Sequence, residues 1–206
     1  MNSAVDIDTV VVGAGVVGLA VARALLMNGR SLLVLESAER AGEGISSRNS
    51  GVIHAGMYYP TGSLKARFCV RGLQLMYEYC ARRGVAHRRT GKLIVATEEF
   101  DRSKLKALAD QAITNQVDVR WLEADEAQRL EPALRCVAAL DSPNSGIVDV
   151  PELITALIGE IESLGGQLVC RTHVDNIAVE DGGFLLRTAA GESLRCHRVV
   201  NAAGLT

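Results

Sequence analysis

The chain has 206 residues, of which 48% are hydrophobic and 22% charged, with 22 basic against 24 acidic side chains for a net charge of -2. That balance excludes disorder, collagen and coiled coil, and it supplies no overall positive field to draw in nucleic acid. Cys69, Cys80, Cys136, Cys170 and Cys196 are scattered without a C-x-x-C pair, so they read as buried or free thiols of a reducing compartment rather than a disulfide framework or a metal site.

Ile7 to Val12 is a β-branched run that stops at glycine, as a buried parallel strand does. Val16 to Asn28 follows with apolar residues at helical spacing, and Ser31 to Leu35 is a second buried strand. Together they predict a β-α-β unit with tight joints. The apolar stretch from Val10 to Ala22 is neither a leader nor a membrane span: Asp6 and Asp8 precede it, and Gly13, Gly15 and Gly18 interrupt it. A cytoplasmic protein, at most peripheral on the inner membrane, is the expectation.

Ala38 to Ser50, rich in Gly, Ser and charge, is expected as a long functional loop. Ser63 to Arg83 predicts a helix with Leu64, Phe68, Leu73, Leu75, Met76 and Tyr79 apolar, stopped near Gly84. Lys92 to Thr97 is strand-like, Phe100 to Asn115 and Glu123 to Leu130 are helical, and Ala138 to Val150 holds strand pieces around a turn at Ser142 to Gly146. Pro151 opens a helix to about Leu164, and Gln167 to Cys170 is a third parallel strand. Val174 to Val179, Phe184 to Thr188 and Ser193 to Arg195 then predict an antiparallel meander, with Val199 to Asn201 as a separate last strand before Ala202-Ala203-Gly204.

Gly13-x-Gly15-x-x-Gly18 lies between a strand and a helix, the context in which this motif holds a dinucleotide. One glycine makes the turn, one lets backbone approach a pyrophosphate, and one lets helix and strand pack. The Ala14, Val16 and Val17 amides around them belong to the same phosphate-binding turn. Glu36, with Ser37 beside it, stands about 20 residues on, where an acid bonds a ribose hydroxyl pair. The fingerprint alone leaves NAD and FAD open. The late return of the third parallel strand favours FAD, and Ser46, Ser47, Arg48, Asn49 and Ser50 offer groups to the pyrophosphate or ribityl chain, or else make a helix-capping turn.

Ser46 to Pro60 (SSRNSGVIHAGMYYP), with Gly62-Ser63-Leu64-Lys65-Ala66, Gly91-Lys92-Leu93-Ile94-Val95-Ala96-Thr97, Ser145 to Asp149 and Val199 to Leu205, resembles the FAD-dependent L-2-hydroxyglutarate dehydrogenase/oxidase family of D-amino-acid-oxidase-like flavoproteins. The resemblance implies an α/β fold: an FAD-binding, doubly wound, Rossmann-like sheet with a β-meander, interleaved with part of a mixed α+β substrate domain. The implied boundaries are 1–85 and 151–206 for the FAD-binding domain and 86–150 for the substrate segment. FAD would be held by Gly13, Gly15, Gly18 and Glu36, with Val174 at the adenine, Ala202-Ala203-Gly204 on the phosphate side, and Ser47 to Tyr59 beside the flavin ring.

The implied activity is oxidation of a dicarboxylic 2-hydroxy acid to the 2-oxo acid; the electron acceptor stays unnamed. Alternatives are a related amine or amino-acid oxidase and a non-catalytic FAD-binding module. His54 either takes the hydroxyl proton or only packs against the flavin. Lys65 and Arg67 either clamp the substrate carboxylates or stand solvated on a polar helix face, as such residues more often do. Relatives continue for nearly as many residues again. The chain is therefore expected to be an amino-terminal piece, weak or inactive alone, with Leu93, Val95, Ile147 and Val148 left against solvent or another chain.

Overall fold

The computed structural model describes residues 5–205. In chain order the elements are β1 (Ile7–Val12), α1 (Val16–Met27), β2 (Leu32–Leu35), β3 (Val52–Ile53), α2 (Leu64–Arg83), β4 (His87–Arg88), β5 (Leu93–Ala96), α3 (Arg102–Thr114) and β6 (Arg120–Glu123). They continue with α4 (Ala124–Leu130), β7 (Ala138–Asp141), β8 (Gly146–Val148), α5 (Val150–Ser163), β9 (Gln167–Val169), β10 (Val174–Glu180), β11 (Gly183–Thr188) and β12 (Ser193–Asn201). The chain divides into two compact units, one running to Ser50 and resuming at Val150, the other Gly51–Asp149. Helix α2 lies in the second unit.

The first unit is built on a six-stranded sheet of order β10-β11-β12-β1-β2-β9. β12, β1, β2 and β9 are parallel, with Val10 opposite Val199 on one side and Leu33 on the other, and Val34 opposite Leu168. This is the expected doubly wound α/β sheet with its meander. The last strand is a correction: Ser193–Arg195 and Val199–Asn201 are the two ends of one strand, antiparallel to β11 at its start and parallel to β1 at its end. Exposed His197 and Arg198 interrupt the apolar pattern and hide that continuity from the sequence. Val10, Leu35, Leu186 and Cys196 form the core between these strands. Helices α1 and α5 pack together, with Arg23 Nε 2.7 Å from Glu160 Oε2.

The second unit holds two three-stranded sheets, β3-β8-β4 and β5-β7-β6. The two-residue strands β3 and β4 were not anticipated. Helix α2 begins where Ser63 Oγ accepts the Ala66 N–H and ends at Gly84, whose φ of +69° supplies the left-handed cap. Its core face differs from expectation: Ala66, Tyr77, Tyr79 and Cys80 are buried, whereas Leu64, Phe68 and Leu75 face solvent. Of the apolar residues expected against solvent, Ile147 is exposed, whereas Leu93 and Val95 pack on Leu122, Ala127 and Ala139.

Candidate cofactor site

The glycine turn after β1 is shaped by contacts only hydrogen atoms permit. Gly13 adopts φ +100°, and a Cβ on it would lie 2.4 Å from the Ala202 carbonyl oxygen. A Cβ on Gly18 would lie 2.0 Å from the Gly13 carbonyl oxygen, and one on Gly15 would press on Ser46 Oγ at 3.2 Å. The turn is closed by bonds from Gly13 N–H to Leu35 O at 2.7 Å and from Ala202 N–H to Val12 O at 2.8 Å. Gly15 then caps α1 with extended backbone, so the first-turn amides have no intrahelical acceptors and stand at the positive end of the helix dipole.

Two distant segments fold onto this turn. Glu36 accepts the Ala14 N–H through Oε2 at 2.7 Å and the Ala38 N–H through Oε1 at 2.8 Å, with Ser37 Oγ donating to Oε1 at 3.3 Å. From the loop expected between 38 and 50, Ser46 Oγ accepts the Val16 N–H at 2.9 Å and Gly42 N–H donates to Ala14 O at 3.0 Å. Gly42 was not anticipated; its signal is a buried glycine with φ +79° where a Cβ would press on Ile154. Thr172 N–H donates to Glu36 O at 2.8 Å, which ties the segment after β9 to the same carboxylate-bearing strand end.

The rest of the loop turns inward on itself. Ser47 Oγ donates to Glu43 O and Gly44 O, and Asn49 Nδ2 donates to Ser46 O at 2.7 Å. Arg48 and Ser50 are exposed. Val174 opens β10 beside a register shift, its side chain against the Val10 core, and Ala203 N–H is held by Asn201 Oδ1 at 3.1 Å ahead of Gly204 at φ +92°. The structure thus gathers Gly13 to Gly18, Glu36, Ser46 and Ala202 at one strand-to-helix turn. A backbone cradle without Cβ atoms, a helix N-terminus and a carboxylate at the neighbouring strand end fit the pyrophosphate and ribose of a dinucleotide.

His54 lies in the second unit, one residue beyond β3, and is an exposed residue whose ring is partly desolvated. Partial desolvation, with the Lys92 ammonium adding to it, holds its pKa below the ordinary value of 6.5. Lys92 Nζ stands 4.6 Å over the ring of Tyr58, and Lys65 Nζ 4.6 Å over that of Tyr59. Arg67 is exposed. Sequence reasoning missed Lys92, since nothing in its local pattern marks it. Among the described residues no cluster of His, Cys, Asp or Glu is arranged to hold a metal ion, and no helix is long and apolar enough to cross a membrane.

The fold and the glycine turn define a dinucleotide-binding α/β protein. Residues 8–206 match the family model described as DAO, FAD dependent oxidoreductase, and the chain belongs to that family, whose cofactor is FAD. It is 53% identical over 153 residues to the mitochondrial L-2-hydroxyglutarate dehydrogenase of Arabidopsis thaliana, covering 74% of this chain and 32% of that protein. It is 37% identical over 212 residues to the enzyme of the same name from Pongo abelii, covering 96% of this chain and 51% of that protein. Among solved structures it is similar to the FAD-bound L-alpha-glycerophosphate oxidase of Mycoplasma pneumoniae, with a TM-score of 0.90 and 28% identity over 96% of this chain and 54% of that one. The chain therefore spans about half the length, or less, of the relatives it matches.

Proposed function

We propose that this chain forms the FAD-binding part of a dehydrogenase that oxidises L-2-hydroxyglutarate to the 2-oxo acid. The carrying observation is the turn at Gly13 to Gly18 with Glu36 and Ser46 folded onto it, in a chain similar along its length to dehydrogenases named for that substrate. Gly13, Ala14, Gly15, Val16, Val17, Gly18, Ser46 and the Ala202-Ala203-Gly204 segment hold the pyrophosphate, Glu36 with Ser37 the ribose, and Val174 the adenine. Ser47, Arg48, Asn49 and Ser50 complete the loop on the phosphate side. The Gly51–Asp149 unit contributes to the substrate part.

Bound FAD supplies the two-electron acceptor, chemistry that no side chain offers. His54 accepts the hydroxyl proton at a ring nitrogen, which requires a neutral imidazole, and both the covering of its ring and Lys92 favour that form. The proposed location is cytoplasmic, with peripheral attachment to the inner membrane as the variant. The test is anaerobic addition of substrate to protein carrying flavin. L-2-hydroxyglutarate is expected to bleach the flavin absorbance. Bleaching by an amino acid instead, or release of a nicotinamide cofactor without flavin on denaturation, overturns the reading.

A further inference from the structure

Lys92 is half-buried at the start of β5 and, among the described residues, makes no ion pair. Its backbone is fixed on both sides: its N–H donates to Ser142 O at 3.2 Å, and Ser142 N–H returns a bond to Lys92 O at 2.9 Å. Gly91, at φ +68°, donates its N–H to Ser145 O at 3.0 Å, and the buried hydroxyls of Ser142 and Ser145 are 3.0 Å apart. The same turn holds the histidine. Ile53, which precedes His54, pairs with Gly146 across the β3–β8 ladder. His54 and Lys92 are thus each one residue from an anchor on two consecutive residues, Ser145 and Gly146, with the Tyr58 ring beneath the ammonium at 4.6 Å.

An ammonium that stands over an aromatic ring with no protein carboxylate paired to it is free to meet a substrate anion. A 2-hydroxy acid presents a carboxylate on the atom next to its carbinol carbon, so a cation and a base side by side match its reacting end. We propose that Lys92 is the binding residue for that carboxylate, with Tyr58 as the aromatic wall and His54 facing the hydroxyl. This rests on the proposed function and deepens it. With FAD bound as the two-electron acceptor, the O–H proton would pass to a His54 ring nitrogen and the C–H electron pair would leave as hydride, so that the carbonyl forms. The carboxylate is unchanged, so the 2-oxo acid product occupies the same subsite.

The test reads binding without turnover. The His54 ring resonance, assigned by His54→Gln, is followed by NMR while 2-oxoglutarate is titrated into the chain. A saturable shift is expected, about tenfold or more weaker in affinity in Lys92→Met and in Lys92→Gln and closer to the parent in Lys92→Arg, as loss of one charge-assisted contact implies. Lys106→Met, at an exposed residue paired with Asp110, is expected to leave the titration unchanged. No saturable shift in the parent chain, or equal affinity in a folded Lys92→Met or Lys92→Gln, overturns the proposal. Failure of L-2-hydroxyglutarate to bleach bound flavin while the His54 shift persists counts against the substrate assignment and leaves the carboxylate subsite standing.

Discussion

The carboxylate of Glu36 accepts the Ala14 N–H at 2.7 Å, so the end of β2 and the glycine turn after β1 are fixed to each other before any nucleotide arrives. Glu36→Ala is expected to weaken FAD retention by about 1.5–3 kcal/mol, or ten- to a hundredfold, because a charged acceptor is lost from the ribose position. Glu39→Ala removes an exposed carboxylate paired with Arg171 and is expected to leave retention within about twofold. Flavin dissociation measured by fluorescence for both variants checks the contrast.

Two alanine substitutions in neighbouring helices should act in opposite directions. Gly18→Ala drives a Cβ onto the Gly13 carbonyl oxygen and is expected to destabilise the chain by several kcal/mol, about 2–5 on the scale of overpacked or strained core sites. Gly159 lies exposed in α5 with nothing within 4 Å of an added Cβ. Gly159→Ala is expected to stabilise by about 0.5–1 kcal/mol through helix propensity. Denaturant midpoints at constant m-value read both.

Arg23 and Glu160 join α1 to α5 with side chains only 18% and 5% exposed. Glu160→Ala removes a charged acceptor from a mostly covered guanidinium and is expected to cost about 1.5–3 kcal/mol. Replacing both with apolar residues of similar volume, Arg23→Met with Glu160→Leu, is expected to recover most of that loss. Thermal unfolding of the single and double variants separates the two outcomes.

His54 titrates below 6.5, first because its ring is partly desolvated and then because Lys92 opposes the imidazolium. The acidic limb of kcat/KM is therefore expected below pH 6.5, and Lys92→Met is expected to move it up toward that value. The unfolded chain takes up the proton first, so this group removes stability as pH falls from 6.5 through the lower folded value. Activity profiles in flavin-loaded protein and the His54 NMR titration must move together.

The glycine fingerprint, α1 and the return of the sheet at β9 are legible in the sequence because each rests on adjacent residues: a β-branched run, a helical period, a glycine stop. The strands β3 and β4 are not, since two residues carry no period and owe their pairing to β8, far along the chain. Helix α2 misleads for another reason. It is apolar on two sides, and the small Ala66 with Tyr77 and Tyr79 wins the core over Leu64 and Phe68. At the site, Glu36 could be placed by its spacing from the glycines, whereas Lys92 acquires meaning only when the Ser142 to Gly146 turn brings it beside His54.

The junction of β1 with β12 gives this fold a clock. Asp6 and Arg195, 189 residues apart, are bonded at the start of that seam, and the parallel pairs from Ile7 to Val12 lie against Cys196 to Asn201. A ribosome delivering about 5–20 residues per second leaves one flank of the first strand bare for roughly 10–40 s. Throughout that interval Val10 and Val11, fully buried once the sheet is complete, border an open edge suited to pairing with another nascent chain. Yield in the cell should therefore respond to chaperone supply and translation speed more steeply than the stability of the finished sheet would suggest.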